Sequence, residues 1–296
     1  MIKAWIKAAR PRTLPLSLSC IGMGAFLAAY RGSFDGLIFT FCILTTIFLQ
    51  VLSNLSNDYG DSIHGADSEN REGPSRAVQS GEISAGAMKN AMVVFAMLAL
   101  VSGLLLLWFA LGSSSLFWVF LGLGIAAIAA AITYTSGKKP YGYAGLGDIS
   151  VLIFFGFIGV MGTYFLFTKS FEWINILPAL SCGLFSVAVL NVNNLRDIES
   201  DREAGKKSIP VRIGREMAMV YHWFLLTAGF SSAVAFTLIE FATYYQFLFV
   251  ISLPLLLANG RAVTNKHQPS ELDPYLKHMA LTTLLFVLTF GIGMLL

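Results

Sequence analysis

Long apolar stretches recur along the whole 296-residue chain, and they constrain its fold more than any other feature. A bilayer core about 30 Å thick requires roughly 20 apolar residues for each helical crossing. Only 12% of the residues are charged, against about 25% in soluble domains. The sequence therefore predicts an all-α polytopic membrane bundle, a single domain over residues 1–296. Its nine transmembrane helices are expected near 14–30, 37–56, 88–111, 115–135, 149–168, 173–195, 217–239, 243–259 and 279–296.

Basic residues lie almost entirely on one side of this nine-helix topology. Of the 20 Lys and Arg residues, only Arg31 and Lys169 fall on the side opposite the N-terminus. Loops that stay in the cytoplasm carry an excess of Lys and Arg. The pattern places the N-terminus and the even-numbered loops in the cytoplasm and the protein in the cell's inner membrane. Residues 1–12 form a basic amphipathic segment that is typical of an interfacial helix.

Two matching clusters of Asn and Asp residues lie where the second and sixth spans end. Each cluster occupies one helix face: Asn54, Asp58 and Asp61 in the first, and Asn194, Asp197 and Asp201 in the second. Neighbouring carboxylates at a membrane boundary repel one another unless a cation neutralises them. Oxygen ligands favour Mg²⁺ or Ca²⁺, and Mg²⁺ commonly binds a few carboxylates together with substrate phosphates. Residues 57–87 and 196–216 are therefore predicted to be Asp-rich cytoplasmic loops that hold a metal.

Basic residues follow each acidic cluster and supply the charge that a phosphate ligand needs. They are Arg71 and Arg76 after the first cluster, and Lys206, Lys207 and Arg212 after the second. When diphosphate leaves an allylic carbon, a carbocation remains, so a site must stabilise the leaving oxygens and exclude water. Acidic and basic clusters at the mouth of an apolar bundle suit a lipid diphosphate.

The loop after the fourth span ends on the same side of the membrane as the two clusters. It reads SGKKPYGYAGLGD from Ser136 to Asp148. Its glycines indicate turns and close packing, because no strand precedes them to form a dinucleotide-binding loop. Tyr141, Tyr143 and Asp148 of this loop, together with Tyr134 just before it, are candidates for an acceptor pocket.

These motifs resemble those of the UbiA superfamily of intramembrane aromatic prenyltransferases. The first family motif, Asn-Asp-x-x-Asp with a further Asp, is similar to Asn57, Asp58, Asp61 and Asp67, and the second is similar to Asp197 and Asp201. The strings GPSRAVQSGEIS, PYGYAGLGD and NNLRDIESDREAGKKSIPVRIG resemble the branch that prenylates 1,4-dihydroxy-2-naphthoate in menaquinone biosynthesis. Where the 4-hydroxybenzoate branch carries its third Asp, this chain has Gly65.

The resemblance implies a reaction and a set of site residues. A polyprenyl group passes from its diphosphate to the naphthoate ring, with loss of CO₂ and diphosphate, to give a demethylmenaquinol. Two Mg²⁺ ions are expected, held by Asn57, Asp58, Asp61, Asp67, Asn194, Asp197 and Asp201, of which Asp58, Asp61, Asp197 and Asp201 are expected to be catalytic. Diphosphate contacts are assigned to Arg71, Arg76, Lys206, Lys207 and Arg212. Acceptor contacts are assigned to Asn54, Tyr134, Lys138, Tyr141 and Asp148.

Two alternative functions remain open at this point. A UbiA-type enzyme could use another aromatic acceptor, such as 4-hydroxybenzoate. A secondary transporter also has many spans, but its ionisable groups usually lie near the bilayer midplane at broken helices. Here they lie at helix ends, which favours the enzyme. The expected partners are a polyprenyl diphosphate, an aromatic acid and the lipid bilayer, with no nucleic acid and no predicted oligomeric state.

Overall fold

The computed structural model describes residues 2–64 and 76–296, and the regular structure of these residues is entirely helical. Nine helical spans in this part of the chain are long and apolar enough to cross a membrane. The predicted all-α, multi-pass membrane bundle is confirmed. The spans are Ile2–Tyr30, Gly36–Ile63, Ala85–Leu111, Leu116–Thr133, Gly147–Thr168, Trp173–Arg196, Ile209–Ile239, Tyr244–Asn265 and Pro269–Leu295.

The described residues form twelve α-helices. They are α1 (Ile2–Ala9), α2 (Leu14–Tyr30), α3 (Gly36–Ile63), α4 (Ala85–Leu111), α5 (Leu116–Thr133), α6 (Gly147–Val151), α7 (Thr163–Thr168), α8 (Ile176–Arg196), α9 (Ile198–Glu203), α10 (Ile209–Ile239), α11 (Leu253–Asn265) and α12 (Pro269–Leu295). A π-helical segment, Leu152–Gly162, joins α6 to α7. Short 3₁₀ segments, Pro11–Thr13, Trp173–Asn175 and Tyr244–Ser252, precede α2, α8 and α11.

Helix α3 extends beyond the apolar stretch from which it was predicted. It runs to Ile63, so residues 57–63 are helical and do not belong to the predicted loop 57–87. The end of that predicted loop is also helical, because α4 begins at Ala85. Hydropathy detects only the apolar part of a helix, whereas backbone hydrogen bonds continue into its polar end.

The second predicted loop, 196–216, is also largely helical. It contains α9 and the start of α10, and α10 is interrupted by non-helical backbone at Gly214. The described residues leave only a short turn between the two helices. Asp58 and Asp61 therefore lie on α3 and Asp201 on α9, and helices hold side chains more rigidly than a loop does.

Helix α8 packs against more of the bundle than its neighbours do, and it carries the second acidic cluster at its end. It lies against α10, α12, α2 and the π-helical segment. Where the π-helical segment packs against α8, a Cβ added to Gly156 would lie 2.8 Å from the carbonyl oxygen of Ala179. Glycine therefore allows the two helices to approach closely. By contrast, no residue of α5 is fully buried, as expected for a helix facing lipid.

A chain of buried polar side chains links α8 to α10, α11 and α12. The amide of Asn191 lies 3.4 Å from Nδ1 of His222, and Nε2 of His222 lies 3.0 Å from Oδ1 of Asn259. Nδ2 of Asn259 lies 3.3 Å from Nδ1 of His278. Hydrogen bonds of this kind satisfy buried polar groups and fix the relative positions of helices in lipid.

Candidate metal and diphosphate site

The carboxylate of Asp58 is hydrogen-bonded to the backbone of residues 77–78, between α3 and α4. Its two oxygens accept hydrogen bonds from the backbone N–H groups of Ala77 and Val78, both at 3.0 Å. The side chain is buried, with 2% of the residue exposed. Asp58 therefore holds the segment around residues 76–78 against the end of α3.

Asp61 lies one helical turn further along and receives two donors from distant parts of the chain. The Tyr143 hydroxyl donates to Oδ1 of Asp61 at 2.9 Å, and the Arg76 guanidinium forms an ion pair with Oδ2. Arg76 also donates to the backbone oxygen of Asn57 at 2.5 Å. Oδ1 of Asn57 accepts from the Thr135 hydroxyl at 3.1 Å. The end of α3 thus presents an amide and a carboxylate in fixed orientations.

In the second cluster each carboxylate has a basic residue against it. Arg196 donates to both oxygens of Asp197, at 2.8 and 2.7 Å, and the Lys206 ammonium lies 3.2 Å from Oδ1 of Asp201. Among the described residues, Oδ2 of Asp201 and Oδ1 of Asn194 are buried without a hydrogen-bond partner. Buried oxygens without a partner are rare in proteins, and these two could accept a cation or a water molecule.

The loop between α5 and α6 brings the two clusters together. The backbone oxygen of Tyr143 accepts from the N–H of Lys207 at 2.9 Å, and the ammonium of Lys206 lies 5.9 Å from the centre of the Tyr143 ring. The Arg212 guanidinium donates to the backbone oxygen of Ala144 at 2.5 Å. Residues from α3, this loop and the α9–α10 turn therefore form one continuous site.

Burial and neighbouring charges fix the ionisation states at this site. Burial raises the pKa of the Asp201 carboxyl, while Lys206 opposes that effect. Burial acts to lower the pKa of Lys206, but Asp201 and Asp61 outweigh it and raise that pKa, so the ammonium stays charged. Burial, together with the charge of Asp61, raises the pKa of the Tyr143 hydroxyl. The hydroxyl therefore remains a hydrogen-bond donor at neutral pH.

The site offers oxygen ligands of the type that a hard divalent cation prefers, although the described carboxylates are not gathered around one point. Within residues 2–64 and 76–296, no three His, Cys, Asp or Glu side chains stand close enough together to enclose a metal ion. The carboxylates turn instead toward Arg76, Arg196 and Lys206, which supply positive charge. The free buried oxygens of Asn194 and Asp201 are nevertheless the carbonyl and carboxylate ligands that Mg²⁺ prefers.

A cavity of about 370 Å³ begins beside Asn57 and extends into the membrane part of the bundle. Tyr134 and Tyr141 line its polar end, and Leu107 and Phe120 line it deeper in the bundle. The rings of the two tyrosines meet edge to face, with centroids 5.3 Å apart. An acidic site thus opens directly onto an apolar cavity.

Several predicted site residues lie elsewhere or have other partners. The amide of Asn54 donates to the backbone oxygen of Ala9 at 2.8 Å and to the Thr13 hydroxyl at 2.9 Å, which ties α3 to the N-terminal segment. Oδ1 of Asp148 accepts from the Tyr221 hydroxyl at 3.1 Å. Lys138 and Lys207 are exposed at the rim. Asp67 and Arg71 lie outside the described residues.

The structure also adds residues that the sequence did not single out. Asp273 of α12 accepts from Arg196 at 2.5 Å and pairs with Arg12 at 3.1 Å. Arg10 has a positive φ of 49°, and its charge acts on the Asp61 carboxylate. No local pattern marks Asp273, because its partners lie on helices far away in the chain. The adjacent opposite charges of Arg196 and Asp197 were the sequence signal for an ion pair in this region.

The chain matches the family model described as the UbiA prenyltransferase family over residues 17–294. The chain belongs to the UbiA prenyltransferase family. A curated relative from Haemophilus influenzae, named 1,4-dihydroxy-2-naphthoate octaprenyltransferase, is 47% identical, and the alignment covers 99% of this chain and 96% of the relative. An Escherichia coli relative of the same name is 44% identical over 97% of this chain and 94% of its own.

Solved structures show the same fold at much lower identity. A UbiA homologue from Aeropyrum pernix K1 superposes with a TM-score of 0.70 at 16% identity, covering 95% of this UbiA member and 96% of that chain. A UbiA homologue from Archaeoglobus fulgidus, bound to GPP and Mg²⁺, gives a TM-score of 0.65 at 16% identity, covering 97% and 99%. The family's helical membrane architecture is thus shared by this chain.

Proposed function

We propose that this protein transfers a polyprenyl group from polyprenyl diphosphate to 1,4-dihydroxy-2-naphthoate. Decarboxylation and release of diphosphate accompany the transfer and yield a demethylmenaquinol for menaquinone biosynthesis. The observation that carries the proposal is the joining of two acidic helix ends above an apolar cavity. The choice of acceptor rests on the two relatives at 47% and 44% identity, both named for this naphthoate.

Two Mg²⁺ ions are proposed to bind between the two acidic helix ends. The residues that would hold them are Asn57, Asp61, Asn194, Asp197 and Asp201. When bound, the metal supplies positive charge to the diphosphate oxygens as the bond to the allylic carbon breaks. Asp58 has both oxygens engaged by backbone N–H groups, so its proposed part is to position the site.

Arg76 and Lys206 are the proposed diphosphate contacts within the site. Both side chains are buried and both are paired with acidic residues proposed as metal ligands. When metal neutralises those carboxylates, the guanidinium and the ammonium can turn to phosphate oxygens, because both are strong donors for phosphate. Lys207 and Arg212, exposed at the rim, are proposed to attract the anionic substrate, and Arg71 and Asp67 stay predictions from the sequence.

The cavity is proposed to hold the first isoprene units and the acceptor ring. Its walls exclude water from the allylic cation, which water would otherwise capture. The faces of Tyr134 and Tyr141 can stabilise a cation nearby. Lys138 is a proposed contact for the acceptor carboxylate. For Asn54 and Asp148 the observed partners favour structural roles in place of the predicted acceptor contacts.

The site is proposed to face the cytoplasm from the inner membrane. The support is the charge distribution, since only Arg31 and Lys169 of the 20 basic residues lie on the other side. Polyprenyl diphosphate, whose head is charged and whose tail is apolar, would then approach from the cytoplasmic leaflet.

The deciding experiment incubates the purified protein in lipid nanodiscs with octaprenyl diphosphate, Mg²⁺ and one aromatic acid at a time. We expect a prenylated naphthol and CO₂ from 1,4-dihydroxy-2-naphthoate by mass spectrometry, and loss of product on adding EDTA. Prenylation of 4-hydroxybenzoate in preference to the naphthoate would overturn the acceptor. Substrate counterflow without diphosphate release would instead indicate a transporter.

A further inference from the structure

Tyr143, which belongs to the PYGYAGLGD string and lies outside both Asp-rich motifs, contacts both acidic helix ends. Its hydroxyl donates to Oδ1 of Asp61 at 2.9 Å. Its backbone oxygen accepts from Lys207, and its ring lies 5.9 Å from the ammonium of Lys206, which pairs with Asp201. One residue thus connects the end of α3 with the turn after α9.

The hydroxyl orients the Asp61 carboxylate without blocking it. Each carboxylate oxygen has about two acceptor directions, so an oxygen that accepts one hydrogen bond can still bind a cation. Asp61 is held by Tyr143 at one oxygen and by Arg76 at the other. A neutral donor such as a tyrosine hydroxyl fixes the orientation and leaves the negative charge available for metal. Arg76, by contrast, competes with metal for that charge.

Gly145 allows the loop to dock against the turn after α9. Its φ is +77°, a left-handed conformation that glycine adopts without strain. A Cβ at this position would lie 2.2 Å from the backbone oxygen of Lys207. The loop therefore reaches the second acidic helix end only because residue 145 lacks a side chain. The distance between the two helix ends depends on this contact as well as on Tyr143.

We propose that Tyr143 is a positioning residue that orients Asp61 and sets the separation of the two acidic helix ends for metal and diphosphate. This inference rests on the proposed function of the same site. Hydrogen bonds to metal ligands affect metal affinity more than substrate affinity, because they hold the ligand geometry that the ion requires. The loop between α5 and α6 is accordingly a third component of the metal site, beside the two motifs.

Tyr143→Phe tests the proposal, with Tyr164→Phe as the matched control. The Tyr164 hydroxyl also donates to a carboxylate, Oε1 of Glu172 at 2.6 Å, but at the opposite end of the bundle. We expect Tyr143→Phe to raise the Mg²⁺ concentration for half-maximal activity by about 10-fold, the usual size of such effects. The Km for octaprenyl diphosphate at saturating Mg²⁺ should change far less. Tyr164→Phe should leave both values unchanged.

A second readout does not require turnover. Ligands that bind only the folded protein raise its melting temperature by mass action. We expect Mg²⁺ with inorganic diphosphate to raise the melting temperature of wild type and Tyr164→Phe, and to need more Mg²⁺ for the same rise in Tyr143→Phe and Gly145→Ala. An unchanged Mg²⁺ requirement in both loop variants would overturn the role of Tyr143. Failure of the wild-type protein to turn over would instead contradict the proposed function.

Discussion

The two ends of the bundle both carry ion pairs, but the pairs at the metal site and those at the opposite end differ in contact with water. At the acidic end, the side chains of Arg196 and Asp197 are 2% and 6% exposed. At the opposite end, Arg31 pairs with Glu172 and Glu240, and these three side chains are 37%, 31% and 23% exposed. The pairs at the metal site are therefore buried, whereas those at the opposite end are in contact with water.

The difference agrees with the function proposed for the acidic end. Exposed ion pairs contribute little to stability, because water solvates each charge when its partner is removed. Buried pairs cost desolvation, and hydrophobic residues of similar volume are often as stabilising, so folding alone does not explain them. The buried pair of Lys206 and Asp201, in which Oδ2 of Asp201 has no hydrogen-bond partner among the described residues, belongs to this costly class. The acidic end therefore stores charge that a metal and a diphosphate can use.

Exchanging a carboxylate for an amide at each end should give the largest contrast. We expect Asp61→Asn to lower activity at least about 100-fold, because the charge that stabilises the leaving group is lost with the metal. Glu172→Gln at the opposite end should keep activity near the wild-type value. Product formation at saturating Mg²⁺ is the measurement. Equal losses in the two variants would remove the functional distinction between the ends.

Removing a buried guanidinium should have the next largest effect. Arg196→Met removes the guanidinium that pairs with the buried Asp197 carboxylate, and breaking a buried pair in this way is expected to destabilise the protein by about 3–5 kcal/mol. Arg202→Met is the control, because Arg202 forms an exposed pair with Glu199 in the same region. Unfolding in mixed micelles measures both. A similar small change in the two variants would contradict the importance of burial.

The link between α3 and the N-terminal segment should give a smaller effect. Asn54→Ala removes two hydrogen bonds, to Ala9 and Thr13, with an expected loss of about 1–3 kcal/mol. We expect faster proteolysis of residues 2–13 and a modest fall in activity. Gln50→Ala is a suitable comparison, since its contact with Asn54 is long, at 3.4 Å. Identical proteolysis rates in both variants and wild type would contradict the link.

The hydrated pairs should give the smallest effect. Arg31→Gln removes both contacts of Arg31, with an expected loss of at most about 1 kcal/mol. Combining it with Glu172→Gln in a double-mutant cycle isolates the coupling of the pair. The coupling should shrink in high salt, which screens exposed charges. A coupling that exceeded the effect of Arg196→Met would reverse the comparison between the two ends.

The sequence predicted those parts of the fold that depend on local composition. Nine apolar stretches became nine spans, because a helix in lipid must satisfy its backbone internally. Helical periodicity placed Asp58 and Asp61 on one face of α3, and the structure carries α3 through both. The predicted span boundaries stopped short of these polar ends, because hydropathy falls there while the helix continues.

The pairing of site residues could not be predicted, because it depends on contacts between distant segments. Asp61 and Tyr143 are far apart in the chain, and only the packed bundle brings them to 2.9 Å. Asp58 and Asp61 look equivalent in the motif, yet within residues 2–64 and 76–296 backbone N–H groups donate to Asp58 and side chains donate to Asp61. Asn54 lies on the helix face that periodicity predicted, but its side chain donates to Thr13 in the N-terminal segment. Periodicity therefore identified the face, and tertiary structure assigned the roles.

The position of Asp273 late in the chain determines when its ion pairs can form during synthesis. It lies in α12, the last helix, and joins Arg12 near the start of the chain to Arg196 at the end of α8. A ribosome delivers both arginines to the membrane before it delivers Asp273. The ionic bridge from Arg12 through Asp273 to Arg196 therefore forms only when α12 is inserted. A nascent chain that stops before α12 carries both acidic clusters but lacks the carboxylate that joins them to the N-terminal segment.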